Sequence, residues 1–239
     1  MRLSAADPLA VAVCDAIRAG DTDALAGLLD ARPGLAAGRI VAACGDARSL
    51  LHIVADWPAN LPRGAETVAL LVARGADPNA KFEGPNSETP LHWAASSDDV
   101  AVLDALLDAG ADIDAPGAVI AGGTPLTDAR AFGQWKAARR LLERGAAVTF
   151  QDAATLGLLE IVRSGVGDQP ADAVDAAFWC ACHGGQQEVA AFLLDRGATL
   201  DWLPGWGEHL TPLDAAVRSE AHALAGWLRS VGAKSAGSQ

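Results

Sequence analysis

The hydrophobic pattern of residues 89–115 predicts two short helices joined by a turn, and much of the chain repeats this pattern. Leu91, Ala94 and Ala95 fall on one helical face at i, i+3, i+4 spacing. After a polar break, residues 100–107 carry a broader apolar arc, which is typical of a helix packed between neighbours. The stretch therefore predicts a helix–turn–helix unit.

Residues that start and end helices set the register of the repetition. Thr89 can cap the first helix with its hydroxyl, and Pro90 suits a first position that needs no amide donor. Gly110 can adopt the left-handed conformation that ends the second helix. Gly75 and Gly145 lie about 35 residues before and after Gly110. This spacing is close to the period of about 33 residues that is typical of some helical repeat proteins. A gap of about 52 residues between Gly145 and Gly197 leaves room for a further, degraded unit.

The string TPLHWAA, followed by LLDAGADIDA, resembles the ankyrin repeat, whose T-P-L-H-x-A signature opens a unit of two helices and a turn. The resemblance implies an all-α ankyrin-repeat solenoid with short projecting hairpins, in one domain over residues 1–239. We expect about seven helix-turn-helix units, and we expect the polar tail to be frayed. The units span roughly 8–34, 48–77, 88–112, 123–147, 148–166, 172–199 and 210–234, and the tail spans 235–239.

Composition limits the classes of partner and compartment. The net charge is −12, so the overall field repels nucleic acid and anionic lipid, and we expect neither as a partner. No apolar run is long enough for a membrane helix, and the first residues lack a usable secretion signal. We therefore expect a cytoplasmic monomer. Its four cysteines, without C-x-x-C spacing, are expected to be buried free thiols.

Candidate chemistry is sparse, and we predict no enzyme activity, metal or cofactor. The resemblance implies that His52 and His92, within the signature motifs, fasten neighbouring turns by hydrogen bonds. Cys180 and Cys182 would point about 200° apart on a helix, which argues against a metal site. The chain lacks the H-E-x-x-H, phosphate-loop and nucleophile-elbow motifs.

The resemblance further implies that hairpin tips and first helices bind a protein partner, whose identity the sequence leaves unknown. Trp57, Phe82 and Trp206 are added because apolar residues in turns can anchor a partner, although they could equally close a small satellite core. The predicted partner-binding residues are Trp57, Phe82, Pro85, Asn86, Glu88, Ser96, Ser97, Ile120, Ala131, Phe132, His183, Trp206, His209 and Arg218.

Two alternatives to this adaptor function stay open. The fifth unit begins too soon after Gly145 for a projecting hairpin, so we expect a notch there. A ligand-binding or enzymatic pocket could occupy that notch, bordered by Phe150, Trp179 and His183. The array could also serve only as a spacer.

Overall fold

The computed structural model describes residues 1–206 and 209–238, and its fold is predominantly helical, as predicted. The chain divides into two compact units, Met1–Ala146 and Ala147–Gln239, and each is described by itself. The single-domain assignment over residues 1–239 stays a prediction.

The first unit contains eight helices and three short strands among its residues. In chain order these are β1 (Arg2–Ser4), α1 (Pro8–Ala19), α2 (Thr22–Ala31), β2 (Arg39–Val41), β3 (Ala47–Ser49), α3 (Leu50–Ala55), α4 (Gly64–Ala73), α5 (Pro90–Ser96), α6 (Val100–Asp108), α7 (Pro125–Ala131) and α8 (Trp135–Glu143).

The described part of the second unit contains six α-helices and two single 3₁₀ turns, the latter at Val166–Asp168 and Ala236–Ser238. The α-helices are α9 (Phe150–Thr155), α10 (Leu159–Gly165), α11 (Ala171–His183), α12 (Gln187–Asp195), α13 (Pro212–Arg218) and α14 (His222–Ser230).

A small three-stranded sheet near the N-terminus was absent from the sequence prediction, which placed no strand between the first two repeat units. Strand β1 pairs with β2 in parallel, and β2 pairs with β3 antiparallel. Ile40 and Ala47 are buried, which stabilises the sheet against the helices. Three residues per strand are too few for an alternating pattern to be recognised, and the pairing partners lie far apart in sequence.

In five of the described helix pairs, the first helix begins with the same reciprocal cap. Ser49, Thr89, Thr124 and two further threonines precede these helices, and the side chain three positions later accepts a hydrogen bond from the cap backbone. The type of side chain at this position differs between the helices, but each one supplies a hydrogen-bond acceptor for the cap backbone. The five accepting residues are His52, His92, Thr127, Asp152 and Asp214.

The two capping histidines also link neighbouring helix pairs. The Ser49 amide donates to His52 Nδ1 at 3.3 Å, so Nε2 carries the ring proton and donates to the Glu88 carbonyl at 3.1 Å. His92 reaches the Gly123 carbonyl in the same way, at 3.4 Å. Both accepting carbonyls directly precede the threonine that caps the next first helix. The predicted fastening role of these histidines is therefore confirmed.

Tryptophan replaces histidine at the corresponding position of the second unit and makes an equivalent link. The indole N–H of Trp179 donates to the Leu210 carbonyl at 2.8 Å, directly before Thr211. We refer to these three ring-to-carbonyl bonds, from His52, His92 and Trp179, as the inter-repeat tethers.

The second half of the loop between α3 and α4 contacts the helix pairs before and after it. A Cβ at Gly20 would lie 2.3 Å from the Pro62 carbonyl oxygen, so only glycine permits this close approach. The Asn60 amide donates to the Asp99 side chain at 2.8 Å. These two contacts join the loop to the helix pairs before and after it.

One expectation about the surface was wrong, and the fraying of the tail stays a prediction. At the start of the tail, the Ser235 hydroxyl and the Ala236 amide both donate to the Asp214 carboxylate, the latter at 2.9 Å. All four cysteines are free, but Cys44 is exposed rather than buried. It lies in the turn between β2 and β3, whose sheet the sequence had not predicted.

We predict that the tether histidines make the stability of the first unit depend on pH. Burial is the main cause that lowers the pKa of His52 to about 3 and that of His92 to about 4. The unfolded chain therefore binds more protons below pH 6.5, and stability should fall by up to ~1.4 kcal/mol per pH unit for each histidine. Urea unfolding between pH 7 and pH 4 measures this slope.

The matched variants are His52→Gln and His92→Gln, with exposed His222→Gln as the control. Each tether variant should flatten the acid slope, whatever its effect on stability at pH 7. An unchanged slope in both tether variants, or the same flattening in His222→Gln, would contradict the assignment.

Candidate functional site

An open cavity of about 280 Å³ lies within the first unit, between the ends of its first helices and the hairpins that connect the repeats. We call it the aromatic cavity, because three of its lining residues are large aromatic residues. Its lining residues are Ala55, Asp56, Trp57, Glu88, Trp93, Ser96, Ser97, Val119 and Phe132.

Trp93 is the aromatic ring that the fold holds most firmly in this cavity. Its ring lies edge-on to His52, with centroids 4.9 Å apart, and 5.4 Å from the ring of Phe82. Because His52 is held neutral by its tether geometry and its low pKa, it brings no cation to this side of the indole. Trp93 is thus fixed on one side while another part of its surface lines the cavity.

The other two rings of the cavity are open to solvent. Trp57 is 81% exposed at the start of the loop between α3 and α4, and Phe132 is 48% exposed directly after α7. Val119 and Ile120, in the segment before α7, are also exposed. Large apolar side chains with this exposure, gathered around one cavity, are typical of a binding surface.

Glu88 is the carboxylate of the cavity without an ion pair among the described residues. Asp56, the second acid in the lining, is paired with Arg48. Burial raises the pKa of Glu88, and the Trp93 side chain works in the opposite direction by hydrogen bonding. None of the described lining residues is basic. The cavity therefore combines aromatic surface with a partly desolvated acid.

A second acid, Asp128, lies fully buried in α7, one turn before Phe132. Neither of its carboxylate oxygens has a hydrogen-bond partner within the described structure. Burial raises the pKa of Asp128 to about 7, and the charge of Glu88 adds to the increase. The amides of Val119 and Ile120 lie near enough to favour the charged form but do not make hydrogen bonds of acceptable geometry.

The second unit has its own aromatic cluster, around Trp179. This ring stacks on His183, with centroids 5.6 Å apart, and meets Trp206 edge-on at 5.7 Å. The Arg218 guanidinium lies 5.9 Å from the Trp179 centroid, within the range of a cation–π contact. His183 is buried and lies 3.0 Å from the Ser219 hydroxyl, whereas Trp206 is 53% exposed.

The structure brings together five of the fourteen predicted partner-binding residues at the aromatic cavity. These five are Trp57, Glu88, Ser96, Ser97 and Phe132. Pro85 and Asn86 lie on the hairpin before α5, and Ile120 and Ala131 lie beside the lining residues Val119 and Phe132 in sequence. His183, Trp206, His209 and Arg218 belong to the second unit, and all fourteen assignments stay predictions.

Phe82 differs from the other anchor candidates, because its ring packs within the fold. It is half-buried and lies beside Trp93 and, at 6.3 Å, His52. Among the lining residues, the prediction omitted Ala55, Asp56, Trp93 and Val119. Trp93 was left out of the predicted binding residues, although its position directly after the signature histidine indicates a place beside Trp57.

The alternative pocket at the fifth unit stays a prediction. Two of its three proposed residues, Trp179 and His183, are buried and stacked on each other. Phe150 packs next to Gly165, where an added Cβ would lie 3.5 Å from its ring. A cavity in the second compact unit lies elsewhere, between α13 and the residues after α14. Its lining includes Leu213, Val217 and Lys234.

Across residues 1–206 and 209–238, no helix has the length and apolar character required to cross a bilayer. The same described residues contain no group of three or more histidine, cysteine or acidic side chains arranged to hold a metal ion.

We predict that Asp128 destabilises the fold increasingly as the pH rises. The native state holds the carboxyl proton more tightly than the unfolded chain, whose aspartate has a pKa near 3.8. Stability should therefore fall between about pH 4 and pH 7, by up to ~4 kcal/mol in total. Asp128→Asn cannot titrate, so its stability relative to the parent should rise over this interval and level off above it.

Urea unfolding of both proteins at matched pH values isolates this effect from that of the histidines. The control is Asp23→Asn, which changes an exposed acid in α2. Equal stability differences at pH 5 and pH 8 for Asp128→Asn would contradict the prediction.

Comparison with known proteins identifies the family. The model for ankyrin repeats (3 copies) matches residues 12–116 and 51–152, which together cover more than half of the chain. A search of the curated proteins gave no match. Ankyrin repeats are generally protein–protein interaction modules without catalytic activity. The capping boxes, the inter-repeat tethers and this match lead to one conclusion: the chain belongs to the ankyrin-repeat family.

Proposed function

We propose that this protein is a non-catalytic adaptor that binds a protein partner on the surface around the aromatic cavity, with the hairpin tips and first helices as its binding elements. The observation that carries the proposal is the 81% exposure of Trp57 on a loop that contacts both neighbouring helix pairs through Asn60 and Pro62. An exposed tryptophan can bury a large area on binding, and contacts that restrict its loop reduce the loss of conformational entropy.

The surroundings of Trp57 support the same function. Phe132 and Val119 share the cavity with it, and both are strongly exposed. Hot spots at protein interfaces are typically aromatic side chains surrounded by residues that exclude water. Serines 96 and 97, also in the lining, supply polar groups at the edge of this apolar surface.

Charge limits the class of partner, and thiol chemistry favours the cytoplasm as the compartment. The net charge of −12 disfavours nucleic acid as the partner. Four free thiols, one of them exposed on the turn at Cys44, fit a reducing compartment.

Photo-crosslinking tests whether the cavity surface binds a protein. We predict that p-benzoylphenylalanine incorporated at position 57 crosslinks a protein partner in cells of the source organism. The same group at position 101, an exposed site on α6 outside the cavity lining, should not crosslink that partner. Mass spectrometry of the crosslinked product identifies the partner. Equal crosslinking from both positions, or none from position 57, would contradict the proposal.

Alanine substitutions then separate a binding anchor from a packing residue. Trp57→Ala should weaken binding of the recovered partner by more than ~1 kcal/mol. Its stability should change by less than about 0.5 kcal/mol, because the ring is exposed. Phe82→Ala should instead lower stability by about 1–3 kcal/mol, because its half-buried ring packs on Trp93. Titration calorimetry measures binding, and urea unfolding measures stability. A loss of stability in Trp57→Ala would show that Trp57 is a packing residue of the fold and would contradict its role as an anchor.

A further inference from the structure

We propose that the aromatic cavity holds the side chain of an arginine presented by the protein partner. This inference rests on the proposed binding function and specifies the chemistry of that partner at one position. Three features of the cavity carry it: the aromatic lining, the Glu88 carboxylate and the volume.

The aromatic lining provides faces to which a cation is attracted. Trp57, Trp93 and Phe132 belong to three different segments and meet at one cavity. A guanidinium placed within about 6 Å of such a ring is attracted by the negative face of its π system, and tryptophan is the most effective ring. Arginine is favoured over lysine because its planar, weakly hydrated guanidinium also stacks on aromatic surfaces.

Among the described residues, Glu88 is the acid of the site that lacks a cation of its own, whereas Arg130 interacts electrostatically with Asp128. Glu88 lines the cavity and has no ion pair in the described structure, although the Trp93 side chain hydrogen-bonds to it. Asp56, the other acid of the lining, is already paired with Arg48. The carboxylate of Asp128 is buried in α7 without a hydrogen-bond partner, and it interacts electrostatically with Glu88. An arriving guanidinium would pair with Glu88 and would offset the repulsion between the two acids.

The resident histidine of the site cannot take the place of this cation. His52 packs against Trp93, but its Nδ1 already accepts a hydrogen bond from the Ser49 amide. A proton added to Nδ1 would point at the Ser49 N–H, and two donors would then oppose each other. The ring accordingly stays neutral at physiological pH. A cation that pairs with Glu88 must therefore come from a partner molecule.

The size of the cavity favours one side chain over a separate ligand. About 280 Å³ lies just below the range of 300–1,000 Å³ that is typical of small-molecule pockets. The cavity is also open along one side, and exposed Val119 and Trp57 extend its apolar surface. A side chain can enter such a site while its own backbone contacts the surrounding surface. The net charge of −12 would steer a basic segment toward it.

The test compares two probes that differ mainly in charge: N-acetylarginine methylamide and N-acetylcitrulline methylamide. Each is titrated into the full chain labelled with ¹⁵N, and the indole N–H signals are followed by NMR. Trp57→Phe and Trp93→Phe assign the two relevant signals. We expect these signals to shift with the arginine probe, whose Kd should be at least ~5-fold lower than that of the citrulline probe.

Two acid variants show whether Glu88 causes the preference. Glu88→Gln should reduce the preference for the arginine probe to less than ~2-fold, because the pairing charge is lost. Glu188→Gln removes an exposed acid from α12 in the second unit and should leave the preference unchanged. Equal affinities for both probes, a preference that survives Glu88→Gln, or shifts confined to other indoles would each overturn the proposal.

The results also separate this inference from the proposed function. If a protein crosslinks at position 57 but the probes bind equally, the arginine inference fails and the binding function stands. If the arginine probe is preferred but no protein crosslinks at position 57, the protein-binding function fails, and with it the assignment of the cation to a partner.

Discussion

The hydrogen bond from a ring nitrogen to the carbonyl before the next cap is the interaction on which the arrangement of repeats within each unit depends. A helix of six or seven residues has little stability alone, so each first helix requires a fixed neighbour. The tethers of His52, His92 and Trp179 supply that constraint between helix pairs. In each case one ring belongs to a first helix and also binds the backbone directly before the next first helix. Two different side chains perform this role, since each places an N–H donor at the required distance.

The tether of His52 also explains why a binding surface forms where it does. It fixes the backbone of Glu88, whose side chain lines the aromatic cavity, and the same imidazole packs against Trp93. The long loop after α3 is held separately, through Asn60, and presents Trp57 beside them. The scaffold therefore brings two indoles and a carboxylate together at one cavity. Desolvation of the Glu88 carboxylate costs stability in the free protein, which is characteristic of sites prepared for a partner.

The regular repeats could be predicted from the sequence because local signals agree there. At residues 89–115 the cap, the proline, the apolar spacing and the final glycine all indicate the same unit. The small sheet escaped prediction because its strands are three residues long and pair across distant segments. The buried state of Asp128 escaped as well, since its burial depends on the segment 117–123 folding over α7. Five cavity residues were named correctly as surface candidates, but their convergence required the three-dimensional path of the loop.

The most direct test of the account is the position of a bound guanidinium relative to the two indoles. Intermolecular nuclear Overhauser effects between N-acetylarginine methylamide and the full chain measure this position in solution. We predict contacts from the probe's side-chain methylene protons to the rings of both Trp57 and Trp93, and weaker contacts at the same probe concentration in Glu88→Gln. Contacts to Trp202 or Trp206 in place of these two rings would contradict it, because the cation would then lie outside the aromatic cavity.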